Sequence, residues 1–192
     1  MRASRPCGPL ERPALALAVT VIPRLAQVAL GTYLAGEAFV AFGTRRWDRR
    51  AMFRRAAERA AAVSLPLMVV GDPDTGFITK FFGRDYGCGD LCTDLTGCPA
   101  CPSTLRGPLE QVLLRIPSRS HVVFECLTLE YVTDLPLVVR ELERIAGPGN
   151  FFGVRIEPGS STFTLFPGAH WEISSMRPWR FRALDPRRRP SP

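Results

Sequence analysis

Short apolar runs that stop at glycine or acidic residues constrain this chain more than any other feature. Pro66 to Val70 stops at Gly71, and Asp90 to Thr93 stops at Asp94. His121 to Leu127 and Phe151 to Ile156 are further runs of the same kind. Runs this short, bounded by turn residues and without polar alternation, read as strands buried on both faces. Helical patterns separate them. Phe77 to Phe82 reads as a short helix stopped by Gly83, and Leu109 to Leu114 as another. Leu135 to Ile145 is amphipathic and ends at Gly147-Pro148-Gly149, a strong helix stop. Strands alternating with helices predict an α/β domain with a mostly parallel sheet covered on both faces. Thr162 to Phe166, a Pro167-Gly168 turn and Trp171 to Ser174 read as a C-terminal β-hairpin.

Five stretches follow. Residues 1–12 are a polar, basic tail. Residues 13–46 form an apolar helical segment. Residues 47–63 read as a helix rich in alanine and arginine, 64–175 as the α/β domain, and 176–192 as a basic, proline-rich, disordered tail.

Within the apolar segment, Leu25 to Gly43 is about long enough to span a bilayer. Glu37 near its middle carries an insertion cost of a few kcal/mol. A membrane anchor, a helix lying on a membrane or on the domain, and a cleaved signal built on Ala14 to Ile22 are the readings that compete. As an anchor, it is followed directly by Arg45, Arg46, Arg49, Arg50, Arg54 and Arg55. The positive-inside rule then places the C-terminal domain in the cytosol, at the membrane.

The chain has 192 residues, a net charge of +7 and a hydrophobic fraction of 46%, which excludes a wholly disordered protein. Of its 25 basic residues only Lys80 is a lysine. The second basic cluster is Arg177, Arg180, Arg182, Arg187, Arg188 and Arg189. Neither cluster interleaves aromatics as a nucleic-acid reading module does, so solvent or lipid headgroups are the expected partners rather than nucleic acid.

Open α/β sheets bind ligands beyond the carboxyl ends of their strands. The residues there are Gly71, Asp72, Asp74 and Gly76 after the first strand, Asp94 after the second, and Glu125 and Cys126 at the end of the third. An acid such as Asp94 can hold ribose hydroxyls; its plainer role is to cap a turn.

Val69-Val70-Gly71-Asp72, Asp94, Val122-Val123-Phe124 and Leu129-Glu130-Tyr131-Val132-Thr133-Asp134 come in the order of a class I S-adenosylmethionine-dependent methyltransferase. With Arg140-Glu141-Leu142-Glu143-Arg144 and Gly147-Pro148-Gly149, the stretch of about 66–158 resembles a type 11 methyltransferase domain. The resemblance implies a small Rossmann-like sheet. It implies that Gly71, Asp72 and Gly76 face the methionine part of S-adenosylmethionine, with Asp74 a further candidate in the same loop, that Asp94 takes the ribose, and that Glu125 and Cys126 line the methyl-transfer pocket. The function so implied is methyl transfer to an acceptor that the sequence does not name. Where the family has a glycine-rich loop, this chain has Gly-Asp-Pro-Asp-Thr-Gly, and Pro73 removes a backbone donor. The stretch between Asp94 and His121 leaves room for one helix, so a strand and a helix of the usual fold are expected to be missing. These departures open the alternative of a catalytically inactive, methyltransferase-shaped scaffold at a membrane.

Cys88, Cys92, Cys98 and Cys101 crowd one short stretch. The two-residue gap of Cys98-Pro99-Ala100-Cys101 lets two thiolates reach one tetrahedral zinc, with Cys88 and Cys92 completing the site. Disulfides and buried free thiols are the other readings. His121 and His170 are read as structural.

Overall fold

The computed structural model describes residues 26–32, 45–74, 83–155 and 168–184. The chain divides into two units, Met1–Val40 and Ala41–Pro192. In the first, residues 26–32 are helical and exposed. No helix among the described residues is long and apolar enough to cross a membrane. The rest of the expected anchor, Gly76, the helix read over Phe77 to Phe82 and the strand read over Thr162 to Phe166 lie outside the described residues.

The second unit opens with helix α1 (Arg45–Val63), then β1 (Leu67–Val70), β2 (Leu91–Asp94) and β3 (Thr104–Arg106). Helix α2 (Leu109–Val112) runs into a 3-10 turn, Leu113–Arg115. Strand β4 (Val122–Cys126), a 3-10 turn at Leu129–Tyr131, helix α3 (Leu135–Ala146) and β5 (Phe151–Val154) follow, and β6 (Trp171–Met176) with β7 (Trp179–Ala183) ends the described fold. Strands β1 to β5 form one sheet in the order β3-β2-β1-β4-β5, and every pairing is parallel. The expected α/β class and mostly parallel sheet are therefore present, with an antiparallel hairpin at the C-terminal end.

The two central strands explain themselves. Leu67–Val70 and Val122–Cys126 are buried along their whole length, as the middle of a doubly covered parallel sheet requires. Their side chains alternate between two cores. Met68, Val70 and Val123 face Leu109 of α2, Leu113 of the 3-10 turn, and Leu135, Leu142 and Ile145 of α3. Leu67, Val69, Val122 and Phe124 face Ala56 and Ala60 of α1 together with Cys92, Cys98 and Cys101. Each fully buried Leu, Val or Phe contributes about 1.5–3 kcal/mol. Helix α1 has little amphipathic character by composition. It packs through a stripe of small residues, Ala56 and Ala60, which lets its axis lie close to β4 and β5.

Two expectations are corrected. The stretch after Asp94 does hold a strand, the three-residue edge strand β3, as well as the helical turn α2. What is absent is a helix between β2 and β3. Residues 95–103 are fewer than the dozen that a helical crossover needs, and a cysteine-rich loop covers that part of the sheet face instead. The tail also differs: Trp171–Met176 pairs with Trp179–Ala183, inside the stretch read as a disordered basic tail, while the expected pairing with Thr162 to Phe166 lies outside the described residues. In Trp179-Arg180-Phe181-Arg182 the aromatics pack toward the α3 core while Arg180 is exposed, an alternation of period two that the arginine content conceals.

Candidate functional site

The loops after β1, β2 and β4 meet at the carboxyl end of the sheet. Gly71 has φ of +103°, and its N–H donates to the Thr93 carbonyl at 2.9 Å. A Cβ at Gly71 would lie 2.6 Å from Thr128 Oγ1 and 3.2 Å from the Cys126 carbonyl oxygen. Only glycine lets the β1 and β4 loops approach so closely. The next amide, Asp72 N–H, donates to Asp94 Oδ2 at 3.2 Å. The other oxygen of Asp94 accepts from Thr96 N–H and Thr96 Oγ1, both at 2.9 Å. Asp94 thus caps its own turn and ties β2 to the β1 loop. Asp72 Oδ1 accepts from Asp74 N–H at 3.0 Å, and Asp74 forms a two-pronged pair with Arg84 at 2.5 and 2.6 Å.

At the end of β4, Glu125 is fully buried. Its Oε1 accepts from Thr128 N–H at 2.7 Å and Leu129 N–H at 3.3 Å. These bonds close a sharp turn at Leu127, a non-glycine residue with φ of 57°. Such a conformation persists where the surroundings enforce it. The register sets Thr93 and Glu125 on either side of Val70. Thr93 Oγ1 and Glu125 Oε2 are both buried, with no hydrogen-bond partner among the described residues. Burial, then the charge of the equally buried Glu130, raise the Glu125 carboxyl well above the usual carboxylate range. The backbone of Glu130 accepts from His170 N–H at 2.7 Å, so the C-terminal hairpin lies against this turn.

Cys126 is the one free cysteine among the described residues, and it is buried. Burial, then the neighbouring Glu125 charge, push its thiol up, which makes it a poor nucleophile at neutral pH. It packs with Tyr86, whose hydroxyl donates to the Asp72 carbonyl at 3.4 Å and whose ring contacts Phe53 and Phe124. Burial likewise raises the Tyr86 phenol.

Of the residues expected at the site, Gly71, Asp72, Asp94 and Glu125 come together. Asp74 is turned toward Arg84, and Cys126 belongs to the core that faces α1. Thr93, Thr128, Tyr86 and Glu130 were not singled out as site residues by sequence reasoning. Thr93 and Thr128 adjoin strand ends, which is the one signal that marks them; the Tyr86 contacts are long-range and carry none. The result is a set of carboxyl groups at the ends of β1, β2 and β4, tied largely by backbone donors. These strand-end residues include no nucleophile with an adjacent base; Ser120, beside His121 at the other end of β4, donates its hydroxyl to the Pro117 carbonyl at 2.6 Å.

The cysteines pair as two nested disulfides, Cys88–Cys101 and Cys92–Cys98. Cys92 and Cys98 are fully buried and Cys101 nearly so. Of the first basic cluster, Arg46, Arg49 and Arg50 converge on Asp85 at 2.6, 3.4 and 3.7 Å. Part of that charge therefore holds α1 to the loop before β2. His121 Nδ1 lies 2.7 Å from Ser120 Oγ, and burial lowers its pKa against the opposing charge of Asp90. The Arg-Glu-Leu-Glu-Arg motif of α3 also has a structural task. Arg144, aligned by Glu141 at 2.6 Å, donates to the Leu113 and Ile116 carbonyls at 3.0 and 2.8 Å. No family model, curated protein or solved structure matches the chain.

Proposed function

We propose that the second unit is a Rossmann-like domain that binds S-adenosylmethionine at the carboxyl ends of β1, β2 and β4 and passes its methyl group to an acceptor. The observation that carries this reading is the strand order β3-β2-β1-β4-β5. Its direction reverses between β1 and β4, beside Gly71 and Asp72. Sheets of this order take ligands at that reversal. Asp94, at the next strand end, suits a ribose. A carboxylate offers about four lone-pair sites, and Asp94 uses three of them on Asp72 and Thr96. One site is left for a hydroxyl. Asp72 and Asp94 repel a pyrophosphate and attract a sulfonium and an ammonium, which favours S-adenosylmethionine over dinucleotides. When bound, the cofactor supplies an electrophilic methyl group, and the chain's part is to hold it in line with the acceptor.

The test is calorimetric titration of the full chain, in detergent where needed. Saturable binding of S-adenosylmethionine is expected, with weaker binding of S-adenosylhomocysteine, which lacks the sulfonium charge, and of Asp94→Asn. Tighter binding of a dinucleotide would overturn the reading. A second reading, a cofactor-free scaffold, is favoured by Thr128 closing against Gly71. Absence of any binding in a folded chain supports it. In either reading the N-terminal apolar segment tethers the protein to a membrane; co-flotation with anionic lipid vesicles tests this, and its loss on deleting residues 13–43 is expected.

A further inference from the structure

The four cysteines of the β2–β3 region form one sulfur cluster. Sγ of Cys92, Cys98 and Cys101 lie within 4.8 Å of one another, and Cys88 is bonded to Cys101. A zinc held by four thiolates at about 2.3 Å in a tetrahedron has sulfurs about 3.8 Å apart. No pair among the three buried sulfurs is more than about 1 Å beyond that spacing. The backbone that carries the sulfurs is fixed independently of the S–S bonds. Cys92 N–H donates to the Ser103 carbonyl at 3.0 Å, within the β2–β3 pairing. Cys98 N–H donates to Thr104 Oγ1 at 3.0 Å. Cys101 N–H donates to the Cys98 carbonyl at 3.0 Å, which closes the two-residue knuckle. Just after Cys88, Asp90 bonds Leu67 of β1 through both its amide and its carboxylate, at 2.8 and 2.7 Å. Arg84 Nη1 stands 3.8 Å from Cys88 Sγ and can balance part of the negative charge of a tetrathiolate site.

We propose that these four cysteines are a two-state staple: two disulfides under oxidising conditions, and a structural zinc site when reduced. Each disulfide accepts two electrons and two protons from a dithiol reductant, which leaves as its own disulfide. The four thiols then release four protons as their thiolates bind one Zn2+. Either state covers the sheet face that lacks a crossover helix. The inference is independent of the cofactor reading.

The experiment uses the full chain reduced with a phosphine and titrated with Co2+ and then Zn2+. One Co2+ per chain is expected, with the charge-transfer and visible bands of tetrahedral sulfur coordination, displaced by Zn2+. Cys88→Ser and Cys98→Ser should each shift those bands. Because either variant can misfold, the wild-type chain is also alkylated with and without zinc and counted by mass spectrometry. Zinc should protect four thiols, mapped to Cys88, Cys92, Cys98 and Cys101. No metal uptake by the reduced chain, folded or unfolded, overturns the proposal. So do unchanged bands in Cys88→Ser, protection of fewer than four thiols, or a cluster that takes iron in preference to zinc.

Discussion

Replacing Glu125 by glutamine separates what its oxygens do from what its charge does. The two side chains match in size, and the amide oxygen can still accept from Thr128 and Leu129 N–H, so the Leu127 turn keeps its closure. The ionisable proton is what is lost. Burial and the Glu130 charge hold the folded carboxyl above its unfolded value of about 4.3. A raised folded value means that the folded state keeps a proton the unfolded chain has released. The stability from this group is therefore complete below about pH 4.3 and falls as pH rises toward the folded value. Within that window the slope reaches about 1.4 kcal/mol per pH unit for one proton, or about 3–5 °C in Tm per pH unit for a domain of this size. His121 acts in the opposite sense. Its lowered value makes stability fall as pH drops below about 6.5, so both proteins should carry His121→Gln. Urea midpoints from pH 4.5 to 8 are the assay. The expected result is a declining wild-type curve, a flat Glu125→Gln curve, and a variant more stable than wild type at pH 8. A constant difference across the range would refute the argument. Glu125→Ala is the contrast: it strips two amides of a buried acceptor and should be about 2–4 kcal/mol less stable than Glu125→Gln at every pH.

Arg144→Ala removes donors to the Leu113 and Ile116 carbonyls and the partner of Glu141, and should cost about 2–3 kcal/mol in urea unfolding. Arg144→Lys should recover less than half of that, since one ammonium cannot hold Glu141, Ser118 and both carbonyls as Nε, Nη1 and Nη2 do; full recovery would argue against the clamp. Gly71→Ala meets Thr128 Oγ1 and a left-handed backbone at once, so a loss of at least about 1–3 kcal/mol is expected in thermal melts, and an unchanged Tm would show that the two loops do not touch. In oxidised, chelator-treated protein, Cys92→Ser with Cys98→Ser should cost about 2 kcal/mol. Cys88→Ser with Cys101→Ser should cost about 3 kcal/mol, from loop separations of 6 and 13 residues. Equal insensitivity of both pairs to reductant would contradict the pairing.

The parts of the fold legible in the sequence are those where burial is one-dimensional. Leu67–Val70 and Val122–Cys126 are covered on both faces, so every residue is apolar or held by a specific partner, and the run is visible without its neighbours. Helix α3 announces itself through Asp134, whose carboxylate accepts from Leu137 N–H at 3.0 Å, and through the glycine at its end. Strand β3 is three residues at the sheet edge, with the outer two exposed, and carries no such signature. Its existence depends on parallel pairing with β2, which no local pattern records. The site divides in the same way. Asp72, Asp94 and Glu125 follow from standing at strand ends. The contact of Thr128 with Gly71, the placement of Tyr86 under Asp72 and the nesting of the disulfides depend on which strands become neighbours.

The carboxylates at the end of this sheet face two demands. A glycine-rich loop leaves its amides free for a ligand and is ordered by it. Here Pro73 removes one amide, Asp94 takes the amide of Asp72, and Asp72 takes that of Asp74. Arg84 then fastens Asp74, and the sulfur cluster anchors the strand on which Asp94 stands. Residues 71–74 are thus tied by side chains before any ligand arrives, and a ligand that binds there spends little of its binding energy on ordering them. The cost is that the acids a ligand needs are also the ties that hold the loops. Asp94→Asn should therefore lower the stability of the ligand-free fold as well as weaken binding. On the proposed cofactor reading, the increase in Tm that S-adenosylmethionine gives each protein would isolate the loss in binding from the loss in fold.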